Sequence, residues 1–453
     1  MTENKMGVMP VGKLLVQMSL PLVASLLVSS AYNLVDSVYI SRMGEAALSA
    51  VSLSAPIQTL TAALGSGTAV GLNAVLSKAL GEKNQEEVRR CISSSLFIAL
   101  ISYIAILIAG IFTVRPYFQA QTNDPAIIEN GVAYLRTVMV LSMGTMFQWV
   151  LERLLVSTGK THLFMITLTS GSIVNLILDP VFIFGWFGIP AMGAMGAGIA
   201  TVFGQWTSAS LAFILNRKCN REIPMRFDFR PYPKTIKNIL ATGIPTAMIS
   251  GFTSLAAVAV NQILLAFSST AVAVYGAILR VINMVNVLPH GFGLGIVPIV
   301  AYNLGAGKRE RITKAIRCGL LYGGVLALIG TLALQIFPGP VMGLFDPSPE
   351  MLAMGVPALR ILSLILIFGA VNAILSSAFQ GLGKGVYSMY VSLMRQVALT
   401  IPLAWAFSLT GSLTAVWFAF PAAEGLTILL SLALYRRTRR MALPREGAEP
   451  VMG

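Results

Sequence analysis

A succession of apolar segments of membrane-spanning length constrains this chain more than any other feature. A transmembrane helix needs about 20 apolar residues, and twelve candidate segments follow one another along the 453 residues. We number them spans 1 to 12; they cover approximately residues 13–40, 47–72, 91–114, 131–156, 163–186, 195–215, 236–267, 271–300, 315–337, 351–379, 386–407 and 413–434. The sequence therefore predicts an all-α membrane protein with twelve transmembrane helices.

The composition supports this interpretation. Hydrophobic residues make up 56% of the chain and charged residues 11%, against about 25% charged residues in a soluble domain. So many apolar side chains need lipid as their solvent, because a soluble core stops growing near about 250–300 residues. The N-terminal segment has no small-residue cleavage site after a short apolar stretch, so we expect span 1 to be retained.

Few residues suit a metal centre or a disulfide framework. The three cysteines lie far apart, and the chain has only two histidines. Neither a disulfide framework nor a thiolate or histidine metal site is expected.

The basic residues are distributed as in a membrane protein rather than a nucleic-acid-binding protein. About 25 of the 32 Lys and Arg residues lie in the termini and in alternate loops between spans. The opposite loops carry only Arg42 and Arg115. The positive-inside rule then places both termini in the cytoplasm. The net charge of +14 is accounted for by topology, and no nucleic-acid partner is expected.

The two halves of the chain repeat each other at an offset of 224 residues. Pro21 corresponds to Pro245, and Leu80-Gly81 and Gly159-Lys160 recur as Leu304-Gly305 and Gly383-Lys384. Six spans per half give both copies the same orientation, which makes them parallel repeats. Transporters commonly use this plan and bind their substrate near the membrane midplane, although a duplicated fold need not transport anything.

These observations predict four regions. They are an N-terminal six-helix lobe at residues 1–215, a cytoplasmic basic linker at 216–237, a C-terminal six-helix lobe at 238–435 and a cytoplasmic basic tail at 436–453.

Ionisable side chains inside a span are functional candidates, since each costs at least about 2.5–3.5 kcal/mol. Of the 18 Asp and Glu residues, four lie within spans: Asp36, Glu152, Asp179 and Glu424. The remaining acidic residues belong to loops and termini.

Asp36 and Asp179 are the strongest of these candidates. Asn175 and Asp179 share one helix face through their i,i+4 spacing, and Pro180 cannot donate a hydrogen bond to the carbonyl of Leu176. Carboxylate, amide and carbonyl oxygens suit a hard cation. The same carboxylates can instead exchange a proton, or they can serve only as caps or structural pairs.

The other two acidic residues have different expectations. Glu152 adjoins Arg153, where a salt bridge or snorkelling is the simpler interpretation. Glu424 has no obvious partner in the sequence, so we expect a proton or substrate site there. We expect Arg395 and Gln396 to form a structural hydrogen-bonding pair.

No motif for nucleotide hydrolysis or other catalysis is present. Residues 157–161 read Ser-Thr-Gly-Lys-Thr, but Leu154 stands where a phosphate-binding loop requires its first glycine. ATP-driven pumping by this chain is therefore excluded. An enzyme acting on lipid would need a polar catalytic cluster near the interface, and the sequence shows none, so the chain is not expected to be an enzyme.

Motifs spread over the whole chain resemble the multidrug and toxic compound extrusion (MATE) family. They are Pro21 with Asn33-Leu-Val-Asp36-Ser-Val-Tyr-Ile, Ala47-Leu-Ser-Ala-Val-Ser, Gly159-Lys-Thr, Asn175-Leu-Ile-Leu-Asp179-Pro180, Gly196-Ala-Gly-Ile-Ala-Thr201 and Asn303-Leu-Gly-Ala-Gly307. Phe379-Gln-Gly-Leu-Gly383-Lys, Arg395-Gln396 and Pro402 resemble the MepA-like bacterial branch. The order and spacing of the motifs make the resemblance specific.

The resemblance implies a V-shaped fold of two six-helix lobes and an exporter of amphipathic organic cations driven by inward Na+ or H+. It implies a coupling site, with Na+ as a possible occupant, at Asp36, Asn175, Asp179 and Thr201. The residues assigned to substrate binding are Glu424, Gln205 and Asn261, and those assigned structural or hinge roles are Pro21, Pro180 and Pro245.

One departure from the family concerns spans 7 and 10. Some members carry acidic residues there, whereas the nearest polar groups in this chain are Asn261 and Asn372. We therefore expect the coupling site in the N-terminal lobe.

The sequence thus predicts a multi-pass transporter of the bacterial cytoplasmic membrane. It is expected to work by alternating access as a monomer, with small organic substrates, the lipid bilayer around it and no cofactor beyond the coupling ion. A lipid-linked sugar or lipid flippase of related fold is the alternative, and it would need a cationic cavity for a pyrophosphate. Arg280 and Arg395 are the chief cations within the spans.

Overall fold

The computed structural model describes residues 4–223, 228–345 and 347–442, and within them the secondary structure is helical with no strand. The α-helices are, in chain order, α1 (Lys5–Val8), α2 (Val11–Ser41), α3 (Glu45–Gly81), α4 (Gln85–Phe112), α5 (Val114–Gln121), α6 (Pro125–Val140), α7 (Met143–Ser157), α8 (Thr161–Phe184), α9 (Gly193–Cys219), α10 (Pro233–Leu265), α11 (Ser269–Gly305), α12 (Arg309–Ile336), α13 (Pro338–Gly343), α14 (Pro349–Ser363), α15 (Ile365–Gly381), α16 (Gly385–Leu393), α17 (Ile401–Ser408) and α18 (Leu413–Ala442). A 3-10 turn occupies Trp186–Gly188, and a π-helix joins α16 to α17 over Met394–Thr400.

The described helices account for the twelve predicted spans. Eleven helical segments are long and apolar enough to cross a membrane, and one bent pair of helices makes a twelfth. The bent pair is α6 with α7, which form span 4 with a bend of 47°. Ser142 lies in the break and Gly144 follows it in α7, and Ser and Gly residues are among the usual causes of such bends.

Three short helices were not predicted. They are α1, α5 and α13, with four, eight and six residues respectively. A search for segments of span length cannot detect elements this short. The predicted tail at residues 436–453 begins inside α18, and its residues 443–453 lie outside the described part.

The chain divides into two compact units. The N-terminal unit contains residues 20–247, and the C-terminal unit contains residues 1–19 together with 248–453. The boundaries fall inside α2 and α10, so the first turns of each of these helices belong to a different unit from the rest of the helix. The predicted lobe boundaries at residues 215 and 238 fall in the last turn of α9 and in the first two turns of α10.

Close helix packing recurs at the repeat offset in each unit. In the N-terminal unit, a β-carbon at Gly71 of α3 would lie 2.1 Å from the carbonyl oxygen of Ile239 in α10. In the C-terminal unit, a β-carbon at Gly295 of α11 would lie 2.4 Å from the hydroxyl oxygen of Ser19 in α2. Gly71 and Gly295 are 224 residues apart, so the sequence repeat extends to the glycines that admit a neighbouring helix.

Candidate functional site

Two polar side chains share a buried face of α8 in the N-terminal unit. Asn175 and Asp179 are 4% and 0% exposed. The side-chain amide of Asn175 donates to Oδ1 of Asp179 across 3.4 Å. Pro180 is buried within the same helix, where its ring nitrogen has no hydrogen to give to the preceding turn. The i,i+4 arrangement predicted from the sequence is therefore present.

Asp36 of α2 reaches this face from a second helix. Its carboxyl group lies within hydrogen-bonding reach of the carboxyl group of Asp179. Two ionised carboxylates at such a separation repel each other. A proton or a metal cation between them removes this repulsion, so the pair is suited to binding either one.

Three acceptor oxygens at this place have no hydrogen-bond donor among the residues that the structure describes. They are Oδ1 of Asp36, Oδ1 of Asn175 and Oδ2 of Asp179, all buried. A buried acceptor without a partner typically costs about 1–3 kcal/mol, so a cation or a proton bound among these three oxygens would relieve a considerable cost. The described residues contain no cluster of three His, Cys, Asp or Glu side chains, and an ion here would be held by two carboxylates with neutral oxygens.

The packing of α9 against α8 fixes the height of Thr201 along the axis of α8. A β-carbon at Gly204 of α9 would lie 3.0 Å from Cβ of Asn175, and one at Gly196 would lie 2.5 Å from the carbonyl oxygen of Phe182. This antiparallel register places Thr201 about level with the segment between Asn175 and Asp179. The hydroxyl of Thr201 donates to the carbonyl oxygen of Ala197 across 2.9 Å, which leaves its oxygen lone pairs available.

Two tyrosines that the sequence analysis did not predict border the site. Tyr32 and Tyr134 both interact electrostatically with Asp36 and Asp179. Tyr134 is 4% exposed and donates to Oε1 of Gln58 across 3.4 Å. The polar residue Gln58 inside span 2 is the sequence feature that indicates such a polar partner.

The residues assigned to substrate binding belong to different units. Gln205, in the N-terminal unit, accepts a short hydrogen bond from the hydroxyl of Thr145. Asn261 and Glu424 lie in the C-terminal unit, where Asn261 is half-buried and Glu424 is buried. Their assignment to substrate remains a prediction.

The three prolines lie inside helices, as expected. Pro21, Pro180 and Pro245 interrupt α2, α8 and α10. The hydroxyl of Ser25 donates to the carbonyl oxygen of Pro21 across 2.7 Å. A hinge role for these residues is still a prediction.

The expectation that Glu424 has no partner is wrong. Nη1 of Arg395 lies 2.9 Å from Oε1 of Glu424, and the amide of Asn372 donates to Oε2 across 2.8 Å. The partners are 29 and 52 residues away on other spans, so only the folded helices bring them together. Arg395 therefore pairs with Glu424, whereas Gln396 donates to the hydroxyl of Ser392.

Glu152 and Arg153 are both buried, at 4% and 5% exposure. The carboxylate of Glu152 accepts hydrogen bonds from Gln148 and Thr167 at 3.2 Å and 3.1 Å. Arg153 packs over the ring of Phe164, and its Nε and Nη1 atoms have no partner among the described residues. Among the described residues no salt bridge joins Glu152 to Arg153, although the two charges attract each other; the snorkelling role of Arg153 stays a prediction.

A sequence profile of the MatE family matches this chain twice, over residues 21–181 and over residues 245–406. The two matches begin at Pro21 and Pro245, 224 residues apart. This spacing is the offset at which the sequence repeats.

Several known proteins are similar to this chain over nearly its whole length. The FAD transporter of Shewanella oneidensis is 25% identical over 448 residues, which cover 96% of each chain. The multidrug export protein MepA of Staphylococcus aureus is 24% identical over 94% of this chain and 93% of its own length. The probable multidrug resistance protein NorM of Thermotoga maritima is 23% identical over 87% of this chain and 85% of its own.

Solved structures share the fold. A MOP superfamily transporter from Pyrococcus furiosus superposes with a TM-score of 0.90 at 23% identity, covering 98% of this chain and 99% of the other. A multidrug resistance MATE family transporter in its outward-facing conformation gives the same TM-score, identity and coverage.

Proposed function

The chain belongs to the MATE family, and from this premise we propose that it is a secondary active exporter of amphipathic cationic organic compounds, driven by inward Na+ or H+. The relatives named for multidrug export and resistance support the substrate class. The observation that carries the coupling assignment is the group of buried acceptor oxygens on Asp36, Asn175 and Asp179. We assign the coupling site to these residues and Thr201.

Coupling requires that the cation favour one conformation and the substrate another. A proton or Na+ at the pair of Asp36 and Asp179 removes the repulsion between two carboxylates, which otherwise favours their separation. Because Asp36 is on α2 and Asp179 on α8, occupancy of the site changes how these two helices are held together. Each inward elementary charge supplies about 2.3 kcal/mol per 100 mV of membrane potential.

Charge distribution supports a specific placement in the membrane. We infer that both termini lie in the cytoplasm, because the Lys- and Arg-rich loops alternate with loops that are nearly free of them. We also propose, from the family resemblance, that the protein is a monomer in the bacterial cytoplasmic membrane.

Cells that carry the Asp36→Asn or the Asp179→Asn variant test the proposal. Each variant keeps the shape of the side chain but removes the carboxylate, and we expect loss of resistance to cationic drugs with normal amounts of protein in the membrane. Glu129→Gln is the matched control, since Glu129 is an exposed carboxylate that pairs with Arg115 at the surface. Normal extrusion by either aspartate variant across a range of pH and Na+ concentration would refute the coupling assignment.

A further inference from the structure

Outside the proposed coupling site, the C-terminal unit contains a polar cluster within its spans. Its centre is the ion pair in which Nη1 of Arg395 lies 2.9 Å from Oε1 of Glu424. The two members differ in exposure, with 30% of the Arg395 side chain and 8% of the Glu424 side chain accessible. The Arg395 side chain is therefore the more accessible half of the pair.

Glu424 is held in place by its remaining neighbours. The amide of Asn372 donates to Oε2 across 2.8 Å and to the backbone carbonyl of Glu424 across 3.2 Å. The hydroxyl of Ser431 donates in turn to Oδ1 of Asn372 across 2.8 Å. Both carboxylate oxygens are thus engaged, so Glu424 is a poor partner for a cationic drug and a good anchor for Arg395.

Arg395 lies on an irregular part of its helix. It belongs to the π-helix Met394–Thr400, where the hydroxyl of Thr400 donates to the carbonyl oxygen of Arg395 across 2.7 Å. Pro402 follows and cannot donate to the carbonyl of Ala398, which removes one α-helical hydrogen bond. Turns of π-helix within α-helices occur frequently at functional sites.

The exposed part of Arg395 needs water. The residue lies near the middle of the span Gly385–Ser408, and a charged group at that depth faces a protein interior or a water-filled cavity rather than lipid. A guanidinium has five N–H donors, and only Nη1 donates to Glu424. Further N–H donors of the guanidinium remain for a ligand.

We propose that Arg395, anchored by Glu424, binds the carboxylate or phosphate group of an organic substrate. The planar guanidinium matches both groups, which accept two parallel hydrogen bonds from it. Glu424 fixes the orientation of the guanidinium and competes with the ligand for it. The inference rests on the proposed function in one respect only, namely that the ligand is a transported compound.

Binding of two matched probe pairs to the purified full-length protein tests the site. Rhodamine 6G and its free acid differ in one carboxylate, and riboflavin and riboflavin 5′-phosphate differ in one phosphate. In the double variant Arg395→Gln with Glu424→Gln, which leaves no unpaired charge, we expect affinity for the free acid, the phosphate compound or both to fall at least about tenfold. Rhodamine 6G and riboflavin should change less than about twofold.

The single variant Glu424→Gln has an expected effect of opposite sign. Because it removes the internal competitor, affinity for the anionic member of at least one pair should rise, whereas a purely structural ion pair would give equal losses for all four probes. Arg360→Gln is the control, since Arg360 is an exposed arginine of the same unit and should leave all four affinities unchanged.

The possible outcomes separate the sources of the anionic group. A selective loss for the free acid assigns the site to carboxylates, and a selective loss for riboflavin 5′-phosphate assigns it to phosphates. Equal losses within each pair, or no change in either pair, would overturn the proposal. Failure of the proposed function is distinguishable, because it would appear as absent cation-driven transport of rhodamine 6G by the unaltered protein in vesicles.

Discussion

At the scale of single residues, the proposed coupling site depends on carboxylates whose acceptor oxygens outnumber their donors. Asn175 donates to Asp179, and Asp36 approaches the same carboxyl group from α2. A cation or a proton bound here would satisfy these unpartnered oxygens. This property makes the site sensitive to the loss of either carboxylate and much less sensitive to changes in nearby apolar residues.

The first prediction concerns cation binding itself. Asp36→Asn and Asp179→Asn each replace an oxygen acceptor with an amide, and we expect the affinity of the purified protein for its coupling cation to fall at least about tenfold. Calorimetry measures the affinity for Na+, and proton release on substrate binding reports the binding of H+. An unchanged affinity in both variants would place the coupling site elsewhere.

The second prediction separates Na+ from H+. A hard metal cation draws on several oxygens, whereas a proton needs only the two carboxylates. Thr201→Ala should therefore abolish Na+-driven transport but leave proton-driven transport within about twofold. Thr201→Ser retains the hydroxyl and is the control. Equal activity of the alanine variant under both gradients would remove Thr201 from the site.

Site residues were predictable from the sequence where an ionisable side chain stands in an apolar span, because burying its charge is costly. Asp36 and Asp179 stood out because an acidic residue in an apolar span needs a reason to be there. The partner of Glu424 was not predictable, because Arg395 and Asn372 approach it only through the packing of three different spans. Tyr134 was missed because its polar tip gives no signal of burial cost comparable to that of a carboxylate.

At the scale of secondary structure elements, the contact between α8 and α9 determines where Asn175 lies. A β-carbon at Gly171 of α8 would lie 2.0 Å from the hydroxyl oxygen of Ser208 and 2.5 Å from the carbonyl oxygen of Gly204. These two helices can approach closely only because small residues face each other. The geometry of the site therefore depends on residues that do not touch the ion.

The third prediction follows from this contact. Gly171→Ala should separate α8 from α9, with a cost of about 1–3 kcal/mol for overpacking and weaker cation binding. Thermal unfolding of the purified protein together with cation affinity measures both effects. Gly324→Ala is the control, because no atom of another described element lies within 4 Å of the added β-carbon, and it should leave both quantities nearly unchanged. Equal stability of the two variants would contradict this role for the contact.

The number of transmembrane helices was predictable from the sequence, but the breaks within them were not. Twelve hydrophobic segments indicate twelve spans, because only a helix satisfies the backbone of a single segment in lipid. The break in span 4 and the π-helix in span 11 arise from local residues and tertiary packing, neither of which changes the mean hydropathy of a segment.

At the scale of the whole molecule, two copies of a six-span repeat account for the organisation of the chain. The family profile matches both copies, and Gly71 and Gly295 show that they share even their close packing. Parallel repeats were predictable from the offset alone, since an even number of spans preserves orientation. The division of α2 and α10 between the two units was not predictable. The sequence of a continuous helix does not show at which residue its packing partners change from one unit to the other.

The fourth prediction concerns topology. In a variant without Cys91, Cys219 and Cys318, a cysteine at Lys234 should resist an impermeant thiol reagent in intact cells. A cysteine at Asn123, in the predicted outer loop, is the control and should react. Rapid labelling at position 234 would overturn the assignment of a cytoplasmic linker.

The most direct test of cation-coupled export is transport in reconstituted vesicles under Na+ and proton gradients that are imposed separately. We expect uptake or release of rhodamine 6G against its own gradient when at least one of the two cation gradients is present. The Asp36→Asn and Asp179→Asn variants should lose this coupled transport, while Glu129→Gln retains it. Transport that is independent of both gradients, or that persists in the aspartate variants, would contradict the account.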